Sequence, residues 1–219
     1  MNVLKKCALF ADVEEKDLTA LLNCLGTRKE SFPKKSVIMQ QGGKAEVIGV
    51  VLRGSVRIER VDWFGERSVL GQAEEGDLFA ETFACAGAES LPVSVIATED
   101  SEVMLMDCTR ILYACSNACE FHRRIIFNLM RVLAQKNLMN HRRLEVAAQR
   151  TTRDKLLTYL GQQAMRCGSR SFSIPFDRQA LADYLQVDRS GLSVEIGKLK
   201  KEGVIECEKN RFTLKETVE

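Results

Sequence analysis

Apolar residues along the chain follow three rhythms, and each predicts a different kind of element. Between residues 12 and 25, Leu18, Leu21, Leu22 and Leu25 recur at helical spacing. That stripe predicts a short helix, with Asp12 placed to cap its start, Glu15 three residues on, and Gly26 to end it. From residue 28 to 107 the rhythm changes to short β-type runs broken by turn residues: 36–39, 47–52, 56–58, 68–70, 93–97 and 102–106. Val56 and Ile58 alternate with Arg57 and Glu59, as a half-buried strand requires. Short strands at this spacing predict a small antiparallel barrel, jelly roll or sandwich rather than alternating βα units. Neither glycine-rich phosphate loop occurs, so nucleotide cleavage and dinucleotide chemistry have no support.

Residues 109–148 contain no proline or glycine and read as helix. Ile126, Met130, Leu133, Leu144 and Ala147 fall on one heptad-spaced line with Asn137 and Asn140, and Ile125, Leu129, Val132 and Met139 fall on a neighbouring one. A helix with two adjacent apolar faces can pack on its own domain with one and on a second copy with the other. Asparagines in such a seam fix register at some cost in stability. The pattern favours a dimerisation helix over a single broad face on one core. A second helix over residues 152–165 turns Leu156, Leu157 and Leu160 inward. The domain boundary falls near residues 148–151, giving segments 1–110, 111–148 and 149–219.

The most specific pattern lies in residues 175–214. Asp177 caps a short helix, Arg178-Gln179-Ala180-Leu181-Ala182-Asp183-Tyr184-Leu185. Gln186-Val187-Asp188 forms a turn, and Asp188 caps a second helix running from Arg189 to about Glu202. Leu181, Leu185, Val187, Leu192, Ile196 and Leu199 supply a shared core. Gly203-Val204-Ile205 then leads into a hairpin with Lys209-Asn210 at its turn. Helix, short turn, helix and β-wing is the layout that presents a second helix to the DNA major groove. Arg189, Ser190, Ser193 and Val194 would face base edges, while Arg178, Gln179 and Lys198 would meet phosphates.

Charge agrees with that reading. The formal net charge is only +2, but residues 1–120 carry 13 Lys/Arg against 19 Asp/Glu, and residues 121–200 carry 15 against 6. A basic stretch beside an acidic one suits a polyanion partner, although a solvated helical surface would look the same. No apolar stretch approaches a membrane span, and the N-terminus lacks a secretory signal, so a cytoplasmic location without membrane association is expected. The eight cysteines include no C-x-x-C pair, and in a reducing compartment a disulfide framework is not expected. Cys115 and Cys119 would share a helical face. The two histidines, His122 and His141, each adjoin arginine, so no metal site and no cofactor are expected.

Taken with these motifs, the whole chain resembles the CRP/FNR family of transcription regulators. The likeness is carried by residues 176–185, by Val187-Asp188-Arg189-Ser190, and by Leu199-Lys200-Lys201-Glu202-Gly203-Val204-Ile205. Leu52-Arg53-Gly54 and Gly76-Asp77-Leu78-Phe79-Ala80-Glu81 are similar to that family's strand-turn and ligand-pocket segments. The resemblance implies an α+β fold: an N-terminal antiparallel β-roll (jelly-roll-like) sensor, a long dimerisation helix and a C-terminal winged helix-turn-helix. It implies a homodimer on a palindromic double-stranded operator, with RNA polymerase as a further partner. An effector in the β-roll would shift the dimer helix, and its pocket would draw on Phe79, Ala80, Glu81, Thr82, Pro92, Val93, Ser94 and Asn128.

Two departures from the family pattern bear on mechanism. Cyclic-nucleotide-binding members carry an Arg-Ser pair ahead of the strand that begins here near Val93, where this chain has Glu89-Ser90-Leu91-Pro92. A carboxylate and apolar residues cannot replace a bidentate cation opposite a phosphate, so the effector is expected to be something other than cyclic AMP. The N-terminal cysteine cluster of iron–sulfur members is also missing. In the recognition helix, Val194 stands where many members read guanine with arginine, which predicts a different operator. Two readings from other classes are weaker. A cupin-type enzyme needs histidine ligands, and none precedes His122, so no enzymatic activity is expected. A thiol-based redox sensor would use Cys108, Cys115 and Cys119.

Overall fold

A computed structural model describes residues 3–112 and 120–215, and within it the chain divides into two compact units, Met1–Gln135 and Lys136–Glu219. In the first unit, two four-stranded antiparallel sheets form the expected β-roll. One has the order β1 (Arg28–Phe32), β8 (Ser101–Asp107), β3 (Val47–Arg53), β6 (Leu78–Phe79). The other runs β2 (Val37–Met39), β7 (Ser94–Ala97), β4 (Val56–Val61), β5 (Arg67–Ala73). Between them, Val51, Phe79, Val103 and Leu105 from the first sheet meet Val56, Ala73 and Val95 from the second.

The first sheet is covered on both faces, which is why residues 103–106 read as one unbroken apolar run. Val103 and Leu105 face the roll interior, while Met104 and Met106, with Ile48 and Val50, pack under helices. Those helices are α1 (Glu15–Cys24), α3 (Cys108–Leu112) and the first half of α4 (Glu120–Ala147), which contribute Leu18, Leu21, Ile111, Ile125 and Leu129. A further short helix, α2 (Glu81–Cys85), follows β6 directly.

The start of α1 differs from its expected place. Asp12 has φ 60 and caps nothing; Glu14 precedes the helix without a side-chain cap. The cause lies in α4, which holds the preceding loop by its carbonyls. Arg124 donates to the Asp12 oxygen at 2.6 Å, and the Asn128 amide donates to Leu9 and Ala11 at 3.0 and 2.9 Å.

Along α4, the line Ile125, Leu129 and Val132 is buried in the first unit. Exposed apolar side chains of α4 are Phe127 and Met130 in the first unit, at 55 and 56%, and Leu138, Met139 and Leu144 in the second, at 57–64%; Met139, expected on the packed line, is not buried.

In the second unit, α5 (Thr152–Cys167) starts at Thr151, whose hydroxyl accepts from the Asp154 amide, and ends at Gly168 in the left-handed region, a conformation that favours glycine. Helices α6 (Arg178–Leu185) and α7 (Arg189–Lys201) take the spans their caps predict. The wing is three-stranded, in the order β10 (Ile205–Glu208), β11 (Arg211–Leu214), β9 (Ser171–Ser173). Leu156, Tyr159, Leu160, Leu181, Leu192, Leu199 and Phe212 are each 1% exposed or less and form its core.

Candidate nucleic-acid interface

Local chemistry fixes the helix pair. The Asp177 carboxylate accepts from the Ala180 amide at 2.8 Å, and that of Asp188 accepts from the Gly191 amide at 2.9 Å and from the Ser190 hydroxyl. Gln186 supplies the left-handed residue that ends α6 and turns the chain into α7. Leu192, Ile196 and Leu199 then bury one face of α7. The opposite face carries Arg189, Ser190, Ser193, Val194 and Lys198, all exposed, with Val194 at 59%. Spacings of three and four residues put Ser190, Ser193 and Gly197 on one stripe of that face, where a Cβ at Gly197 would meet open space.

An arginine 36 residues upstream of α7 holds it in place. Arg153 at the start of α5 forks onto Glu202 through both terminal nitrogens (3.1 and 2.5 Å) and reaches Glu195 at 3.4 Å. Glu195 lies on α7 and Glu202 is its C-cap residue, so one side chain holds the helix at its body and at its end. The hydrogen bond to Arg153 holds the Glu202 carboxyl below its ordinary range. Lys198 shares Glu195 at 3.4 Å, and Arg189, Lys200 and Lys201 add exposed positive charge to α7.

Arg178 and Gln179 have partners within the unit. The Arg178 guanidinium sits 5.9 Å from the Phe212 ring centre and donates to the Lys209 carbonyl at 3.3 Å, tying α6 to the wing turn. Gln179 donates to Asp183 at 2.9 Å, and Ser193 to the Arg189 carbonyl at 2.9 Å. An aromatic trio, Tyr159, Phe176 and Tyr184, joins α5 to α6 at centroid distances of 5.1–6.1 Å, and Arg143 lies 5.5 Å over Tyr184.

The Asp188 cap makes stability depend on pH. Ser190 and Gly191 hold its carboxyl below the ordinary value of 3.8, so the folded form binds its proton less readily than the unfolded chain. Stability from this contact is therefore complete at neutral pH and lost as pH falls through the depressed value. Asp188→Asn, which can still cap but cannot titrate, should flatten the acid limb of a melting-temperature profile for the second unit; an unchanged limb would exclude this role for Asp188.

In the β-roll, the residues expected to form an effector pocket are only partly brought together. Phe79 and Ala80 join Leu91 and Val95 in the interior cluster. The Phe79 ring covers Gly49 so closely that a Cβ there would lie 2.0 Å from it. Glu81 is 2% exposed at the start of α2 and accepts from the Thr82 hydroxyl at 3.2 Å. Ser94 accepts from the Gln41 amide at 2.9 Å, Val93 is buried, and Thr82 and Pro92 are exposed. Asn128 serves the N-terminal loop described above. In the segment opposite, Leu91 is 3% exposed within the apolar cluster and pairs with Gly42 and Gly43 through its backbone, while Glu89 points to solvent-accessible surface. This segment offers the interior a leucine and no cation. An open cleft of about 590 Å³ lies elsewhere, lined by Arg53–Ser55, Gln72, Glu74, Glu75, Glu99 and Asp100. Of the cysteines considered for thiol chemistry, Cys108 is buried, and Cys115 and Cys119 lie outside the described residues.

A β-roll followed by a long helix and a capped helix pair with a wing defines a DNA-binding transcription regulator. The cyclic nucleotide-binding domain family matches residues 29–117, and the Crp-like helix-turn-helix domain family matches residues 154–217. Together these place the chain in the CRP/FNR family of transcription regulators. Solved structures of the same fold agree. The c-di-GMP-responsive global regulator CLP of Xanthomonas campestris is 17% identical over 93% of this chain and 100% of that one, with a TM-score of 0.56. A CooA mutant from Carboxydothermus hydrogenoformans is 18% identical over 94 and 93%, at 0.55. The Thermus thermophilus catabolite activator protein is 20% identical over 95 and 94%, at 0.50. No curated protein matches the chain in sequence. Among the described residues, no helix is long and apolar enough to cross a membrane.

Proposed function

We propose that the chain acts as a cytoplasmic homodimer that reads a palindromic operator and answers to a small-molecule effector other than cyclic AMP, without catalysing a reaction. The observation that carries the DNA-reading half is the exposed face of α7, with Arg189, Ser190, Ser193 and Val194 presented by a capped and clamped helix. In this reading Val194 packs on a thymine methyl, a contact open to valine, whereas bidentate pairing to guanine is not. Gly197 leaves room for close approach of the sugar-phosphate backbone. Arg178 and Gln179 act at the start of α6, the first by bracing the wing as well as by its charge. The exposed apolar surface of α4 forms the seam between two copies, and it sets half-sites about 34 Å apart, one helical turn. RNA polymerase is the partner through which a bound dimer would act.

The effector half rests on Leu91. A phosphate carried into the roll would meet leucine and the Phe79 ring rather than arginine, so an apolar or aromatic effector suits this interior better than a cyclic nucleotide. Phe79, Ala80, Glu81, Thr82, Pro92, Val93 and Ser94 are the residues to vary, with Asn128 acting from α4 on the N-terminal loop.

Selection of binding sites from random duplex DNA tests the reading. We expect a two-fold symmetric site whose half-sites differ from the family's best-known palindrome. Recovery of that familiar half-site would refute the role given to Val194, and failure to enrich any symmetric site would refute operator reading altogether. Val194→Arg should shift the selected half-site toward guanine at one position, with discrimination of about 1–3 kcal/mol there.

A further inference from the structure

Cys24 and His122 are 98 residues apart in sequence, yet the Cys24 Sγ lies 3.9 Å from His122 Nδ1, where the end of α1 meets the start of α4. We propose that this pair is a modification site, at which Cys24 exchanges with small disulfides to form a mixed disulfide and His122 accepts the thiol proton. The inference goes beyond the regulator reading and does not depend on it.

The tautomer of His122 is the first argument. The residue is 1% exposed, and its Nε2 lies 3.0 Å from the Arg110 carbonyl. A carbonyl oxygen can only accept, so Nε2 carries the hydrogen, and in the neutral ring Nδ1 presents its lone pair to Cys24. The thiol therefore donates to Nδ1. Once the proton has crossed, both ring nitrogens donate, one to the carbonyl and one to the thiolate.

Charge and access supply the second. Cys24 is the last residue of α1, where the helix carbonyls disfavour a bare thiolate, so a counter-cation has to come from outside the helix. The His122 imidazolium supplies it at the contact itself. The Arg110 guanidinium adds to it: a Cβ at Gly26, just after Cys24, would come within 2.6 Å of its Nη1. Cys24 is exposed and His122 is buried, so a reagent in solvent reaches the sulfur while the base stays shielded. Other thiols lack this combination. Burial pushes Cys7 up to about 11 and Cys85 up to about 12, which holds both as unreactive thiols.

The exchange balances within the pair. The Cys24 Sγ–H bond breaks and its proton passes to Nδ1. Sγ then attacks one sulfur of the reagent, forming a new sulfur–sulfur bond as the reagent's own breaks. The departing thiolate takes the proton from Nδ1 and leaves as a thiol, so Cys24 is oxidised and that half of the reagent is reduced. The adduct stands at the junction of α1 and α4.

The test uses the full-length reduced protein and bis(2-hydroxyethyl) disulfide, an uncharged reagent, at neutral pH. Acid quenching and alkylation of the unreacted thiols precede digestion. Trypsin releases Cys24 in residues 17–28 and the exposed Cys167 in residues 167–170, each as the sole cysteine of its peptide, so mass spectrometry gives both rates from one sample. A free thiol is only a few per cent thiolate near pH 7, which leaves room for Cys24 to react about 10-fold faster than Cys167. His122→Gln keeps a donor for the Arg110 carbonyl but cannot take a proton. It should bring the Cys24 rate down to that of Cys167, with the Cys167 rate and far-ultraviolet circular dichroism unchanged. In urea-unfolded parent protein the two rates should converge, which tests the contact without a variant. Equal rates in the folded parent, an excess that persists in urea, or a fast Cys24 that survives His122→Gln overturns the proposal.

Discussion

Met130→Glu is expected to convert the protein to monomers and to abolish tight operator binding. Met130 lies on the predicted seam line of α4, about one turn after the exposed Phe127, and is 56% exposed in the monomer. If that line is a two-fold seam, the substitution places one carboxylate from each copy at the same interface. Each must be desolvated at a cost of several kcal/mol, and the two repel. At 1.4 kcal/mol per factor of ten, the dimer should weaken by at least about 10³-fold. A monomer engages one half-site, so affinity for the selected operator should fall toward the nonspecific level, a loss of roughly 10³-fold or more. Sedimentation equilibrium gives the mass and fluorescence anisotropy the affinity. Met165→Glu is the control: that residue is 86% exposed near the end of α5, outside α4, and its replacement should leave the mass unchanged. A Met130→Glu protein that still sediments as a dimer would remove α4 from the interface.

The features legible in the sequence are those that local chemistry decides. Asp177 and Asp188 cap their helices within three residues, so the bounds of α6 and the start of α7 follow from the residues themselves. The runs that became β3, β4, β7 and β8 are apolar enough to announce burial. Strand β1 is different: Arg28-Lys29-Glu30-Ser31-Phe32 is a charged edge strand, exposed along most of its length, and its pairing with β8 is decided by the sheet rather than by its own composition. Strand β6 has two residues and β9 three, too short for any periodicity. Asp12 has the chemistry of a cap, but α4 holds its carbonyl and moves the helix start. The larger losses are long-range. Nothing near Arg153 in sequence points to Glu195 and Glu202, 42 and 49 residues on, or near Cys24 to His122. Contacts of that separation become visible only once the chain has folded back on itself.

Phe212→Ala is expected to destabilise the second unit by about 3–5 kcal/mol. The ring is fully buried, faces Phe172 across the β9–β11 pair, and belongs to a core drawn entirely from residues 146–214. A loss of this size is a large fraction of the roughly 5–15 kcal/mol that holds a typical domain together. For a unit of this length it should lower the melting temperature by roughly 10 °C or more. The core of the first unit shares no residue with this one, so its transition should stay where it is. Phe212→Leu separates packing from the contact with Arg178. It keeps most of the apolar volume, and its stability should fall by less than about 1.5 kcal/mol. It removes the ring face on which the Arg178 guanidinium rests, so the wing turn at Lys209 loses part of its brace. Phe212→Leu should therefore bind the selected operator more weakly than its near-native melting temperature suggests. Equal affinity in Phe212→Leu and the parent protein would confine Phe212 to the core, and a Phe212→Ala protein that melts within about 1 kcal/mol of the parent would contradict the core as described.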